Sequence, residues 1–568
     1  MKRLLKWLSG MLAIFVLILI GWVVIIRLYH PIPAMNLSPN HPDTAWNHGA
    51  VAHLLPTVNH ERILIKVSFA KAQKSPPRLL VNNRPIQGVR TDSHGFFWYF
   101  DAKGLQPDTR YNLEIQNAVG HRLCDPWPLK TFPAPTAAPE KVRLLIYTCL
   151  GGHDVHINWF KAGPIPLKQR IRLLNRGLSF QPDAVISTGD QIYYDLRYGR
   201  TAKTMGLAPA SIKYCGQFDR TRPVLGTTNE EVFKKVVSPQ IADLYGTALR
   251  SYPTFFLLDD HDYFENDEAS EKDTFGFLEL ILGLSPITKA GFSFPMDNFM
   301  LDLGRSAQKL YLPEFLPDIG RPVDMPDVGA RDRAPGVAEC YGTLRYGRLL
   351  EALLSENRRY LTLNGKDAVQ IHPKAEKWMV NRMALEETRH VLNIITSYIG
   401  WSAGKWLDWY PDIRDPKTST LTLDQPKYMW MPGWFEQHNR ILEAAGKMQH
   451  SPPIFICGDL HSQGVCEILK SGNLDLRANP VISILSGSLG TGPRGFPSGL
   501  VRKMKAQAPH ALNTRELMPV LEKNAFILMD FTPEKVTVRF FAWRPPEPVN
   551  AIETLQPHLT LEFKRKGI

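Results

Sequence analysis

Three carboxylate- and histidine-bearing stretches lie far apart in the chain, each closing an apolar run. They are TGDQIYYD (Thr188 to Asp195), LLDDHDYFEND (Leu257 to Asp267) and IFICGDLHSQG (Ile454 to Gly464). A fourth run, LLIYTCLGG, puts Cys149 at the same kind of place. Carboxylate and amide oxygens, imidazole nitrogen and thiolate sulfur are the donors that hold metal cations. Taken singly, each has a bland reading: a Gly-Asp turn, a small buried cysteine, a hydrogen-bonded surface histidine. Taken together, several strands ending in ligand-type residues argue for one metal site.

The elements that must position these residues are legible too. VRLLIYTC, DAVISTGD, PTFFLLDD and PIFICGD read as buried β-strands ending in hard polar groups. In an open α/β sheet, ligands bind just outside the carboxyl ends of the strands. The strand ends would therefore deliver Cys149, Asp190, Asp260 or Asn266, and Asp459 with His461 to one rim.

The order Cys149, GDQIYYD, DDHDYFEND and GDLH resembles the PhoD-type alkaline phosphatases of the calcineurin-like metallophosphoesterase superfamily. YGTLRYGRLLEALLSENRRY (Tyr341 to Tyr360), AEKWM (Ala375 to Met379) and LDWYPDIR (Leu407 to Arg414) fall where that family carries further signatures, and the similarity runs from about Val142 to Phe541. Departures exist. The family's Asp-x-Arg reads Glu356-Asn357-Arg358, its Gln-x-x-Trp begins with Ala375, and insertions occupy about residues 200–250 and 268–340. These bear on substrate identity more than on metal binding.

The resemblance implies an α/β fold: a calcineurin-like β-sandwich flanked by helices. It implies iron, as Fe(3+), on Cys149, Asp190, Tyr193 and His461, and calcium, as Ca(2+), on Asp190, Asn266 and Asp459. Thiolate and phenolate suit trivalent iron and an all-oxygen site suits calcium; ligand type alone leaves zinc or manganese open. Two metals about 3.5–4 Å apart activate a water and clamp phosphate oxygens. His261 would donate a proton to the leaving oxygen, or else orient Asp260. Arg358 would contact a phosphate oxygen, or else form a surface ion pair.

Composition bounds the rest. A chain of 568 residues with 44% hydrophobic content supports more than one folded unit. A net charge of +12 suits anionic substrates or anionic membrane surfaces, and no nucleic-acid-binding motif stands out. The six cysteines have no C-x-x-C spacing, which argues against a zinc ribbon or a thioredoxin-type pair. A disulfide among Cys215, Cys340 and Cys466 stays open, and Cys457 reads as strand core. Oligomeric state is not legible.

Residues 1–28 read as a membrane anchor. Lys2, Arg3 and Lys6 precede an almost unbroken apolar stretch from Leu8 to Ile26, long enough to span a bilayer. The charge asymmetry keeps the amino end in the cytoplasm and exports the rest, as on the periplasmic face of a bacterial inner membrane. A cleaved signal peptide is the rival reading. Residues 29–50 read as a linker, and 51–135 as a small all-β sandwich. Within it, LQPDTRYNLEI (Leu105 to Ile115) resembles the tyrosine corner of fibronectin type III modules, with Tyr111 bonding back to the backbone. This module would seat the catalytic domain or stand it off from the membrane. The catalytic domain would occupy 140–568.

The expected function is hydrolysis of phosphomonoesters or phosphodiesters. A phospholipase D-like diesterase and a non-catalytic, membrane-tethered binding protein are the alternatives. FGFLELILGL (Phe275 to Leu284) reads as a packed helix, or as an apolar lid suited to a lipid-linked phosphoester.

Overall fold

The computed structural model describes residues 2–29, 45–152, 164–194, 215–263 except 217, 298–316, 340–403 except 362–366 and 368, and 432–566 except 494, 500–504 and 510. Asn266, the stretch 268–297 and the LDWYPDIR segment lie outside the described residues.

The first module is built from eight strands. β1 (Val51–Val58), β2 (Arg62–Phe69), β6 (Phe97–Lys103) and β5 (Val89–Arg90) form one sheet in that order; β4 (Arg84–Gln87), β3 (Arg78–Val81), β7 (Arg110–Gln116) and β8 (Trp127–Lys130) form the other. The β3–β4 hairpin turns on Asn82 and Asn83, at φ 46° and 69°, the left-handed pair that a tight two-residue turn requires. The Tyr111 hydroxyl accepts a hydrogen bond from the Gln106 backbone N–H at 2.7 Å, fastening the start of β7 to the preceding loop.

This module does not stand apart. Lys66 of β2 pairs with Glu314 at 2.8 Å, both side chains about 3% exposed. Lys234, from the helix Thr228–Tyr245, pairs with Asp92 at 2.7 Å and Glu230 at 2.8 Å. The Thr254 hydroxyl donates to Pro56 O at 2.6 Å, and Phe132 stacks on Phe255. Of the two expected roles, seating the catalytic domain fits these contacts; a stand-off would leave such pairs solvated.

The remaining strands form two larger sheets. One runs β11 (Thr254–Leu257), β10 (Ala184–Thr188), β9 (Val142–Tyr147), β20 (Asn524–Phe531), β21 (Lys535–Trp543), β22 (Leu559–Lys564). The other runs β12 (Tyr341–Tyr346), β13 (Leu350–Ser355), β14 (His390–Ile395), β15 (Ile454–Cys457), β18 (Val481–Ser486), β16 (Gln463–Ser471), β17 (Leu474–Asp475), with β19 (Leu512–Leu521) also on β16. β9, β10 and β11 are parallel, as are β13, β14, β15 and β18.

Period-2 alternation explains the layering. Leu144, Ile146, Ile186, Leu257, Ile527 and Met529 share one core with Ala352, Leu354, Ile394, Ile456 and Ile484 of the other sheet. The alternate residues Leu145, Tyr147, Val185, Phe256, Leu353 and Phe455 belong to a second core with residues of the helices Leu167–Leu178, Thr228–Tyr245, Pro373–Leu385 and Pro432–Gly446. Two sheets thus pack face to face with helices outside, the α/β sandwich expected from sequence.

Two expectations need correcting or limiting. All six cysteines are free and buried, so Cys215, Cys340 and Cys466 form no disulfide; the Cys340 thiol lies 2.9 Å from the Tyr360 hydroxyl instead. At the amino end a helix covers Lys2–Tyr29. Among the described residues, no helix is long and apolar enough to cross a membrane. The expected transmembrane span therefore lacks structural support.

Candidate metal centre

Five loops, each leaving the carboxyl end of a strand, build the centre. Cys149 follows β9; Asp190 and Tyr193 follow β10; Asp259 to Asp262 follow β11; Arg358 follows β13; Asp459 and His461 follow β15. The glycines of the two Gly-Asp pairs let these loops close in. A Cβ on Gly189, at φ 108°, would lie 2.5 Å from the Asp259 Cβ, and one on Gly458 would lie 2.6 Å from Thr188 O.

Four of the candidate ligands hold left-handed backbone: Cys149 (φ 51°), Asp190 (59°), Asp459 (62°) and His461 (50°). Such conformations cost about 1–3 kcal/mol each and persist only where surrounding contacts enforce them. Those contacts are present. The Asp262 carboxylate accepts four backbone N–H groups: Asp190 at 2.8 Å, Gln191 at 2.9 Å, Ile192 at 2.7 Å and Asp259 at 2.9 Å. Gln240 Oε1 accepts from Gly152 N at 2.7 Å and Tyr193 N at 2.8 Å. Arg170 Nη1 donates to the carbonyls of Leu150, Gly151 and Gly152 at 2.8–3.0 Å. Sequence reasoning missed all three. Asp262 at least lies inside DDHD; Gln240 and Arg170 carry no local signal.

The loops bring Cys149, Asp190, Tyr193 and His461 together. Asp190 Oδ2 accepts from the Cys149 thiol at 3.2 Å and the Tyr193 hydroxyl at 2.9 Å. His461 Nε2 lies 3.5 Å from the Tyr193 hydroxyl and 4.0 Å from Asp190 Oδ2. His461 Nδ1 lies 2.7 Å from Gly495 O. A carbonyl only accepts, so Nδ1 carries the proton and Nε2 turns its lone pair toward Asp190, the arrangement typical of a metal-ligating histidine. His461 is buried, not a surface residue.

Among the described residues, three groups of ligand atoms result, each with one atom per residue within 4.8 Å of the others: Cys149, Asp190 and His461; Asp190, Asp260 and His261; Asp259, Asp260 and Asp459. All members are buried. Asp190 joins the first two groups and Asp260 the last two, so the donors form a continuous chain. The His261 ring also packs on Tyr193, with centroids 4.1 Å apart.

Burial raises the Asp190 pKa to about 6, the charges of Asp260 and Asp459 adding to the effect and His261 opposing it. Burial, and then the Asp190 charge, push the Cys149 thiol and the Tyr193 phenol well above their ordinary values. Asp190 Oδ1 is buried with no hydrogen-bond partner among the described residues. Several carboxylates in one dry site, Asp190 and Asp259 each with an oxygen lacking a hydrogen-bond partner among the described residues, call for positive charge. The donor set fits metal: thiol, phenol, imidazole and carboxylate on one side, mainly carboxylate oxygens on the other.

Arg358 is placed otherwise than a surface residue. It is fully buried, and its guanidinium donates from Nε to Asp259 Oδ1 at 2.5 Å and from Nη2 to Asp459 Oδ2 at 2.6 Å.

No protein-family model and no curated protein sequence matches the chain. Its fold is shared with two solved structures, both only 11% identical in sequence. One, described as PhoD, superposes with a TM-score of 0.55 over 92% of each chain. The other, a purple acid phosphatase from yellow lupin (Lupinus luteus) seeds, superposes with a TM-score of 0.51 over 91% of this chain and 75% of its own. The resemblance to the PhoD type read from the motifs thus extends to the whole fold.

Proposed function

We propose that this protein is a metal-dependent phosphoesterase of the alkaline phosphatase D type, hydrolysing phosphomonoesters or phosphodiesters. One observation carries the reading: Cys149, Asp190 and His461, from three strand ends separated by hundreds of residues in all, present their donor atoms within 4.8 Å of one another in a buried site. The two neighbouring structures, named as PhoD and as a phosphatase, support it.

In this reading Cys149, Asp190, Tyr193 and His461 hold iron, and Asp190, Asp459 and Asn266 hold calcium. Bound there, the ions supply Lewis-acid activation of water and neutralise phosphate charge. Asp190 serves both because a carboxylate has two oxygens. Asp262, Gln240 and Arg170 keep the ligand loops fixed, which spares reorganisation during turnover. His261, beside Asp190 and Asp260, would hold a proton for the leaving oxygen.

The first module is read as fibronectin type III-like, supported by its two four-stranded sheets and the Tyr111 hydrogen bond. The amino-terminal helix is read as a membrane anchor. Its described part exposes Trp7, Met11, Leu12, Phe15, Leu17 and Ile18, apolar surface that water disfavours and a bilayer accommodates. With Lys2, Arg3 and Lys6 on the inner side, the catalytic domain faces outward, where phosphoesters of small molecules or of lipids are the candidate substrates.

Purified protein should turn over p-nitrophenyl phosphate or its bis ester, lose that activity to a chelator and regain it with iron and calcium. Elemental analysis should find iron, with a violet or pink charge-transfer colour from Tyr193 or Cys149. Zinc alone at full activity rejects the iron assignment. No turnover of either ester in metal-replete protein rejects the enzyme reading in favour of a binding protein.

A further inference from the structure

The third group of ligand atoms, Asp259, Asp260 and Asp459, already contains a cation supplied by the chain. The Arg358 guanidinium reaches Asp259 Oδ1 at 2.5 Å and Asp459 Oδ2 at 2.6 Å, and Nη2 lies 3.9 Å from Asp260 Oδ1. The Arg358 and Asp259 side chains have no exposed surface, and that of Asp459 is 12% exposed. A guanidinium stays charged at any working pH, and its planar fork fixes the carboxylates it meets. The arginine leaves a three-residue 3-10 turn, Arg358–Tyr360, at the end of β13. Its neighbour Arg359 is engaged separately, by Glu356 at 3.2 Å and the Tyr263 hydroxyl. Arg358 is thus the guanidinium that this turn commits to the acidic group.

The charge arithmetic favours the same conclusion. Three carboxylates within 4.8 Å of one another cannot all stay ionised in a dry site without compensation. A divalent ion or a guanidinium can supply it, and the two compete for the same oxygens. Asp459 is the member with a second duty, since it follows β15 alongside His461 and is an expected ligand of the neighbouring centre. Its left-handed backbone, at φ 62°, needs an external hold, and the Arg358 hydrogen bond to Oδ2 provides one.

We propose that Arg358 is a positioning residue that occupies the Asp259–Asp260–Asp459 group as a built-in cation, keeps a further metal ion out of it, and holds Asp459 oriented for the adjoining centre. This rests on the metal-centre reading above. It replaces the phosphate contact expected of this arginine from sequence: a side chain with no exposed surface, ending on two carboxylates, is occupied before substrate arrives.

The test uses the full chain with Arg358→Met and Arg358→Lys. Each variant is equilibrated with calcium chloride, freed of loose ions, and its bound metals are counted by elemental analysis. Binding of inorganic phosphate is measured in parallel by calorimetry. Arg358→Met should hold one more calcium per chain than wild type, and its Tm should rise with calcium more steeply. Arg358→Lys keeps a charge there and should hold the wild-type number. Phosphate affinity should stay within about 10-fold of wild type in both variants. A folded Arg358→Met with the wild-type metal count overturns the proposal. So does a loss of phosphate affinity of more than about 10-fold with the metal count unchanged, the signature of a direct phosphate contact. If Arg358→Met folds only in calcium, the added ion has replaced the guanidinium, as proposed. If it folds in neither condition, Arg358→Lys decides: an extra calcium in it overturns the proposal, and the wild-type count upholds it. Metal counting and phosphate binding need no turnover, so a metal-replete wild-type protein that hydrolyses neither p-nitrophenyl phosphate nor its bis ester rejects the enzyme reading without touching this result.

Discussion

Asp190→Asn separates the two roles of a buried carboxylate, as a ligand and as a burden on the empty fold. Asparagine keeps the shape and removes the charge. In the metal-loaded protein the loss is severe. Asp190 Oδ2 lies at the meeting point of Cys149 and Tyr193, and Oδ1 has no protein partner among the described residues. Removing the anion that joins the first two ligand groups should lower kcat/KM by about 1,000-fold or more, some 4 kcal/mol in the barrier. In the stripped protein the sign reverses. Burial raises the Asp190 pKa from 3.8 to about 6, a difference worth about 3 kcal/mol. An acid whose pKa is raised on folding favours the protonated fold. Its contribution is therefore fully present below about pH 4 and is lost as pH climbs through about 6.

Metal-free Asp190→Asn should then melt above metal-free wild type at pH 8, by a few degrees for a chain of this size. The gap should close near pH 4. Adding iron and calcium should invert the order, because only wild type gains binding energy. The assays are p-nitrophenyl phosphate turnover and calorimetric melting with and without chelator. Activity within about 10-fold of wild type, or 1.4 kcal/mol, would place the metal site elsewhere. A metal-free variant that melts below wild type at pH 8 would refute the argument that Asp190 is an uncompensated buried charge.

Asp262→Asn should weaken iron binding about 10- to 100-fold, because the amide cannot accept all four backbone N–H groups that now end on the carboxylate; iron retention during graded chelation measures this, and unchanged retention refutes it. Lys66→Met should destabilise the whole protein by about 3–5 kcal/mol by removing one partner of a buried ion pair; two separate melting transitions in place of one lowered transition would mean that the module and the catalytic domain fold independently. An alkaline phosphatase reporter fused after residue 45 should be active and a green fluorescent reporter there dark; the opposite pair of signals would put the active site in the cytoplasm.

How much of this was legible in the sequence depends on how far each interaction reaches. A strand that ends at a candidate ligand is a local event, so apolar runs closing on Cys149, Asp190, Asp260 and Asp459 could be read directly, and all four strands occur as β9, β10, β11 and β15. The Gly-Asp pairs are local in the same way. Their glycines exist because Asp259 and Thr188 come within 3 Å of where a Cβ would sit. The clamps are not local. Asp262 reaches back 70 to 72 residues to the β10 loop, and Gln240 reaches 47 residues to Tyr193 and 88 to Gly152. Nothing near either residue marks the partner.

Charge misleads sequence reading for a related reason. Arg62, Lys66 and Ser68 alternate with apolar residues along β2, the pattern of a strand with one wet face. Every residue of β2 is nevertheless buried. The polar face is covered in part by the segment carrying Lys309 and Glu314, whose carbonyl and carboxylate both accept from Lys66 Nζ. Arg358 poses the same problem in the candidate metal centre. Arginine is seldom fully buried, so an exposed ion pair is the natural first reading, and only the convergence of Asp259, Asp260 and Asp459 makes the buried position affordable. Both cases have one cause. A polar residue's burial is decided by charges that arrive from elsewhere in the chain, whereas an apolar strand announces its burial by itself. The candidate metal centre is where this distinction matters most: its candidate ligands could be read one strand at a time, but whether each acidic group is neutralised by a metal ion or by Arg358 is a property of the assembled fold.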